Sequence, residues 1–194
     1  APVERCRVLE LGCGNGANLV PMALALPGSS FVGIDLAEVP VAMARSLAAR
    51  LDLSNALFHQ LDLMDVDARF GEFDYIIAHG LYSWVPPNVR DRLMAVCRAN
   101  LAPHGVAFVS YNTFPGCHMR RMMREMLQYQ TQGIADPELR IKHAYALINL
   151  LSAAKPKSPA LRGELNSIQS RHPSVLFHDD LEPVNDPVYF HQFI

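Results

Sequence analysis

One tryptophan, Trp84, stands in a chain of 194 residues, and only 19% of the residues are charged. The basic and acidic side chains nearly cancel, leaving a formal charge of −2, and no stretch gathers the lysines and arginines that a nucleic-acid surface requires. No apolar run approaches the roughly 20 residues of a membrane-spanning helix. Neither a nucleic acid nor a membrane is therefore an expected partner, and nothing in the sequence specifies an oligomeric state. The four cysteines, Cys6, Cys13, Cys97 and Cys117, contain no Cys-x-x-Cys pair. The histidines are scattered, and His178, Asp179, Asp180 and His191 lack metal-ligand spacing, so no metal is expected. Free thiols within apolar segments fit a reducing compartment, and a cytoplasmic location is expected. The opening A-P-V-E-R has no signal-peptide pattern and runs directly into a core strand, while Ile194 arrives without a helix cap. Both ends are expected to continue in a longer parent protein.

Half of the residues are hydrophobic, enough to bury one core with a helical appendage. Short apolar runs at 6–10, 29–35, 55–59, 73–78 and 105–111 read as strands. Between them, 17–26, 38–51 and 88–101 read as helices, with Asn18 near a cap and Val41, Ala44, Leu47, Ala48 and Leu51 on one face of the second. Strands alternating with helices imply βαβ units, hence an α/β, Rossmann-like domain with a parallel sheet. After Pro115-Gly116 the strand signal stops. Helices are predicted at 119–130, 137–153 and 159–171, then a polar loop H-D-D-L-E-P-V-N-D-P, then the start of a helix at 188–194. This divides the chain into a core at 1–115 and a helical region at 116–194. In the latter, Met119, Met122, Met123, Met126 and Leu127 form a stripe expected to pack against the sheet. Arg120, Arg121 and Arg124 are expected on a solvated face.

The strongest chemical signal follows the first strand: Glu10, Gly12, Cys13, Gly14, Asn15 and Gly16 in E-L-G-C-G-N-G. A glycine turn there lets backbone approach a ligand. Gly12-x-Gly14-x-x-Ala17 also satisfies the looser dinucleotide pattern, so the glycines alone are ambiguous. Glu10 separates the readings, because its carboxylate repels pyrophosphate but suits the ammonium and sulfonium of S-adenosyl-L-methionine. Asp35, with Leu36 beside it, ends V-G-I-D, where a carboxylate accepts both ribose hydroxyls, a role NAD would share. Asp62, in H-Q-L-D-L, can accept from an adenine amino group, with Leu63 packing by the ring. A nicotinamide oxidoreductase is the competing reading, and Glu10 is the main objection to it.

Three carboxylates at successive strand ends, after an E-x-G-x-G-x-G loop, resemble the class I S-adenosylmethionine-dependent methyltransferases. The stretches A-H-G-L-Y-S-W-V-P, V-S-Y-N-T-F-P-G and F-H-D-D-L-E-P-V-N-D-P-V-Y-F-H-Q-F resemble a bacterial family that carries a methyltransferase regulatory domain after the catalytic core. The rickettsial protein lysine methyltransferases are among its members. The resemblance implies a sheet of order 3-2-1-4-5, S-adenosyl-L-methionine as cofactor with S-adenosyl-L-homocysteine as product, and an amine acceptor such as a protein lysine. A small-molecule acceptor and a non-catalytic S-adenosylmethionine-binding regulatory module are the alternatives. The sixth and seventh strands of such a core cannot be placed before Ile194, so the fifth is expected as an exposed edge. By the same resemblance, H-D-D-L-E-P-V-N-D-P is a conformational loop whose Glu182 and Asn185 cap helices or contact the acceptor.

Ligands of open parallel sheets sit at the carboxyl ends of the strands. His79 and Gly80 are delivered there after the fourth strand, along the methionine part of the cofactor, and Gly80 leaves room for the methyl group. Tyr82, Trp84, Tyr111 and Asn112 are the candidates for positioning the acceptor. Aromatic walls favour a neutral amine by desolvation while still attracting the incoming cation, and Asn112 can accept from an amine N–H. Tyr82 and Trp84 read equally as loop packing. His79 reads as a hydrogen-bonding or packing residue before a base, since no neighbour in sequence orients it.

Overall fold

Parallel strands must be joined by crossovers, and each short apolar run here is followed by a helix or a loop that returns the chain to the same end of the sheet. The structure, a computed structural model, describes residues 2–182 and 187–189. The chain divides into two compact units, Ala1–Tyr111 and Asn112–Ile194. The division precedes the expected boundary at 115/116, because Thr113–Phe114 pairs with a strand from the far end of the chain.

The first unit contains β1 (Arg7–Leu11), α1 (Leu19–Ala25), β2 (Ser30–Asp35), α2 (Glu38–Arg50), β3 (Ala56–Gln60), β4 (Phe73–Ala78), α3 (Pro87–Asn100) and β5 (Leu101–Val109). The strands form one parallel sheet in the order β3-β2-β1-β4-β5. Among the described residues β5 pairs only with β4, which leaves it an edge with Val106 and Phe108 exposed. It starts at Leu101 rather than at residue 105. Gly105, expected to open the strand, lies inside it: Phe73 pairs with Leu101 before the register shifts to Tyr75 with Val106, so an irregularity in the strand absorbs the extra residues.

Helices pack on both faces of the sheet, although on the α1 side an apolar groove lined by Tyr75, Ile77, Val106 and Phe108 remains open. Val8 and Phe31 pack with Leu19, Val20, Val41 and Ala44 on one side, while Leu9, Leu11 and Ile76 pack with Leu93 and Val96 on the other. The alternation of Val8 and Leu9 follows from the two-residue period of a strand. Helix α2 touches this core through Val41, Ala44 and Ala48 alone; Leu47 and Leu51, expected on the same face, are exposed. The turn from α1 into β2 is closed by Asn55, whose Nδ2 donates to the carbonyls of Ala23, Leu26 and Ser29 at 3.0, 3.2 and 3.0 Å. Carbonyls left over at a helix end are satisfied in this way.

The second unit contains β6 (Thr113–Phe114), α4 (His118–Thr131), α5 (Pro137–Ala153), α6 (Pro159–Gln169), α7 (Pro173–Leu176), a π-helical turn at Phe177–Leu181, and β7 (Val188–Tyr189). Asp136, Ser158 and His172 cap α5, α6 and α7 through their side chains, each followed by a proline in the first turn. The methionine stripe, expected against the sheet, contributes to a core within the second unit. Met123 and Leu127 are buried with Ala144, Ile148, Leu165 and Ile168 in a core that the helices build among themselves.

Two of the three arginines, Arg120 and Arg124, also depart from expectation. Arg121 stays exposed and pairs with Glu125 one turn on, at 2.9 Å. Arg124 is buried, and its Nη2 donates to the Glu182 carbonyl at 2.8 Å. Arg120 pairs with Asp179 at 3.0 Å and with the fully buried Asp180 at 3.3 Å, which Arg171 also holds at 2.7 Å. Their partners lie far downstream, so a local reading of the helix sees only a charged face. Residues 188–189, predicted to start a helix, are instead a strand parallel to β6, and the Val188 amide donates to the Asn112 carbonyl at 3.0 Å. Asn185, His191 and the rest of the predicted terminal helix lie outside the described residues. Among the described residues no cluster of His, Cys, Asp and Glu is placed to hold a metal ion, and no helix is long and apolar enough to cross a membrane.

One position in the first unit tests the packing directly. A Cβ on Gly33 of β2 would lie 2.8 Å from the Cys13 sulfur and 2.8 Å from the Phe58 ring. Neither neighbour is the end of a flexible chain, so Gly33→Ala is expected to destabilise the protein by about 1–3 kcal/mol in denaturant unfolding. An unchanged midpoint would mean that the glycine turn after β1 does not rest on β2 as described.

Candidate cofactor site

At the end of β1 the chain must turn sharply across the end of β2. Gly12, Gly14 and Gly16 take φ values of +75°, +51° and +76°, which only glycine adopts without strain. The amides of this turn are engaged inside the protein. Those of Gly12 and Cys13 both donate to the Ile34 carbonyl at 2.9 Å, that of Gly16 to the Cys13 carbonyl at 2.9 Å, and that of Gly14 to Asp35 Oδ2 at 2.8 Å. A phosphate-binding loop leaves such amides facing its ligand; this one turns them inward. Cys13 is buried, and burial, reinforced by the Asp35 and Glu10 carboxylates, pushes its thiol up to about 12. It anchors the loop and offers no nucleophile. Asn15 is exposed, and its Oδ1 accepts the Ala17 amide at 3.2 Å.

Glu10 is only 3% exposed. Its Oε1 accepts from Asn18 Nδ2 at 2.8 Å, while Oε2 is buried with no hydrogen-bond partner among the described residues. Burial pushes its carboxyl up to about 6, with Asn18 pulling the other way. Asn18, expected near a cap, makes no capping bond with its side chain and orients Glu10 instead. An unpartnered buried carboxylate oxygen invites a cation and excludes a phosphate. Asp35 is oriented through both oxygens, by Gly14 and by the Ala37 amide at 2.9 Å, and each oxygen keeps a further acceptor direction. Asp62 opens a short turn by accepting the Met64 amide at 2.9 Å.

Gly12, Asp35, Leu36, Asp62 and Leu63 come together on one cleft of about 400 Å³. Leu81, Val85, Pro86 and Val89 line it as well, although none of them is among the expected cofactor residues. Their one signal is the spacing of four between residues 81, 85 and 89. The loop after β4 therefore does reach the cleft, through its aliphatic residues. Tyr82 packs on the core, with its ring 5.4 Å from the Arg90 guanidinium and 6.0 Å from Tyr111. Trp84 is half-buried in a 3-10 turn, its amide donating to the Leu81 carbonyl at 2.8 Å. Arg90, itself buried, stiffens this loop by donating to the Val85 carbonyl at 3.0 Å.

His79 lies elsewhere. It borders an apolar groove on the α1 side of the sheet, 6.0 Å from the Phe108 ring. Ser110 orients it, with Oγ 3.1 Å from His79 Nδ1, and also accepts the Gly80 amide at 2.8 Å. Ser110 lies 31 residues from His79, so its part is not visible in the local sequence. Gly80, at φ +68°, has open space where a side chain would stand, as does Gly14. Asn112 belongs to the second unit, where it borders a small recess with Cys117 and Arg120.

Residues 8–105, more than half of the chain, match the family model described as a methyltransferase domain. The chain belongs to the class I S-adenosylmethionine-dependent methyltransferases. It is 39% identical over 197 residues to the uncharacterized protein RP789 of Rickettsia prowazekii, a match that takes in 99% of this chain and 36% of that one. It is 32% identical over 198 residues to RP028 of the same organism, covering all of this chain and 79% of that protein. The structure of PKMT2 from Rickettsia typhi in complex with AdoHcy superimposes with a TM-score of 0.90 at 33% identity, over 100% of this chain and 38% of that one. This methyltransferase chain thus spans little more than a third of RP789 and PKMT2. The cofactor of its family is S-adenosylmethionine, and the residues present fit it: an orphaned carboxylate oxygen for a cation, two side-chain-free glycine positions, and no free phosphate cradle.

The position of Glu10 has a measurable cost in the unliganded methyltransferase. Its folded-state value of about 6 lies above the ordinary 4.5, so its contribution to stability is complete below 4.5 and is lost as pH rises through 6. That loss amounts to about 2 kcal/mol. Glu10→Gln has no such titration, so the stability difference between the two proteins should shift by that amount between pH 4.5 and 7.5 in urea unfolding. A constant difference would place the carboxyl in water.

Proposed function

We propose that this chain carries out S-adenosylmethionine-dependent methyl transfer to an amine, with a protein lysine as the acceptor. The observation that carries the reading is the unpartnered oxygen of buried Glu10 behind a glycine loop whose amides are turned inward. That combination favours a cationic, phosphate-free cofactor. When bound, S-adenosylmethionine supplies a methyl group on a sulfonium. Glu10 holds the ammonium of its methionine part, and Asp35 accepts from the ribose hydroxyls. Asp62 accepts from the adenine amino group, with Leu36, Leu63 and Leu81 beside the ring. Gly14 and Gly80 keep side chains out of the way.

Tyr82, Trp84 and Tyr111 position the acceptor by lowering the proton affinity of an amine through desolvation. Asn112, next in the chain after Tyr111, accepts from an amine N–H. His79, bound to Ser110 on the side of the apolar groove, supports the Gly80 turn and is not assigned proton transfer. The lysine acceptor is supported by the 33% identity to PKMT2 over the whole of this chain and by the motif resemblance to the rickettsial protein lysine methyltransferases.

Calorimetry tests the cofactor site. Asp35→Ala removes two charge-assisted acceptors, each contributing about 1.5–3 kcal/mol, so S-adenosylmethionine affinity should fall at least tenfold; equal affinity would remove Asp35 from the site. The acceptor class is tested with the parent protein, labelled cofactor and total bacterial protein. The label should appear as N-methyl-lysine after hydrolysis. Label confined to small molecules would overturn the lysine reading, and no transfer at all would leave a cofactor-binding module.

A further inference from the structure

Asn18 stands at the N-cap of α1, where an asparagine ordinarily accepts an amide of the first turn with its own side chain. It makes no such bond. Its Nδ2 reaches back eight residues to Glu10 Oε1 at 2.8 Å, and Glu10 Oε2 is left buried without a partner among the described residues. The strands on either side add no side-chain donor, since the register partners of Glu10 are Gly33 and Ile77. The titratable groups around it are engaged elsewhere. The buried Cys13 thiol donates to the Gly14 carbonyl at 3.7 Å, and Asp35 accepts from the amides of Gly14 and Ala37. His79, which borders the apolar groove together with Asn18, is bonded to Ser110. One neutral amide is too little to hold a carboxylate charge out of water, and a group so placed takes up a proton instead.

We infer that Asn18 is a positioning residue for cofactor binding: it fixes Oε1, leaves Oε2 bare for the cofactor's ammonium, and makes ionisation of Glu10 part of the binding step. Asn18 has this part only if S-adenosylmethionine is the cofactor, as proposed above. In the empty site the Glu10 carboxyl holds a proton. When the ammonium meets it, the O–H bond breaks, the electron pair stays on the carboxylate and the proton passes to water. Each cofactor bound thus releases one proton wherever Glu10 starts out neutral. Burial raises the carboxyl to about 6 and the Asn18 donor pulls it down, so Asn18 sets the pH at which this exchange takes place. The bound state carries fewer protons than the free one. Affinity therefore rises with pH through about 6 and levels off above it.

Calorimetric titration of the chain with S-adenosylhomocysteine, which carries the same ammonium, tests this in two buffers of different ionisation enthalpy. About 0.9 proton should be released per ligand bound at pH 5 and about 0.1 at pH 7, with affinity about tenfold lower at pH 5. Asn18→Leu removes the donor and should move the midpoint up by about one pH unit, which widens the ratio between pH 7 and pH 5 to about fiftyfold. Glu10→Gln should bind without proton release and with a flat profile over that range. A merely structural Asn18 would lower affinity equally at both pH values. Binding of the unmodified chain without proton release, or a ratio that Asn18→Leu leaves near tenfold, would overturn the inference and spare the cofactor reading. No binding at any pH would remove both.

Discussion

Two amides, those of Gly12 and Cys13, converge on a single carbonyl, that of Ile34. This bifurcated contact works only because Leu11 pairs with Ile34 in the parallel register of β1 and β2, so that the end of one strand delivers its turn over the end of the other. Once the turn is fixed, Gly14 comes within reach of Asp35, Cys13 drops against Gly33, and Glu10 is sealed behind the loop. The positions of the Glu10 and Asp35 carboxylates follow from one register and three left-handed glycines.

The two units treat buried carboxylates in opposite ways. Asp180 in the second unit is fully buried, and two guanidiniums meet it. A buried charge matched so completely is a structural element, because removing either partner would leave the other stranded. Glu10 in the first unit receives a single neutral amide and keeps one oxygen bare. A protein retains such an imbalance where something outside the fold completes it. The contrast sets the unmatched carboxylate beside the glycine loop and gives Arg120 and Arg124 of α4 a scaffolding part, clamping the carbonyls and carboxylates of the 179–182 segment.

Much of the first unit was legible from the sequence because its signals are local. The strand–glycine–helix grammar and the acid at each strand end do not need distant partners to be recognised, and the sheet order followed from the family they resemble. What escaped notice depended on distance. Arg120 and Arg124 read as surface residues because the groups they bind lie more than 50 residues onward. Val188–Tyr189 is too short to display a two-residue period, and it becomes a strand only by pairing with Thr113–Phe114. The aliphatic wall of the cleft is hard to read for another reason: Leu81 and Val85 carry no polar group or motif that sets them apart from core residues.

The pairing of β6 with β7 has a bearing on how the chain is made. Every strand of the five-stranded sheet has left the ribosome once residue 109 has, so the first unit can assemble during synthesis. The second cannot close until a strand about 75 residues downstream of β6 arrives, a long loop whose ends find one another slowly. Between those moments β6 waits without its partner, and among the described residues the last strand of the five-stranded sheet pairs on one side alone. The nascent protein is thus most exposed to strand-to-strand association with its neighbours while α4 to α6 are being translated, and a pause in translation there would lengthen that window.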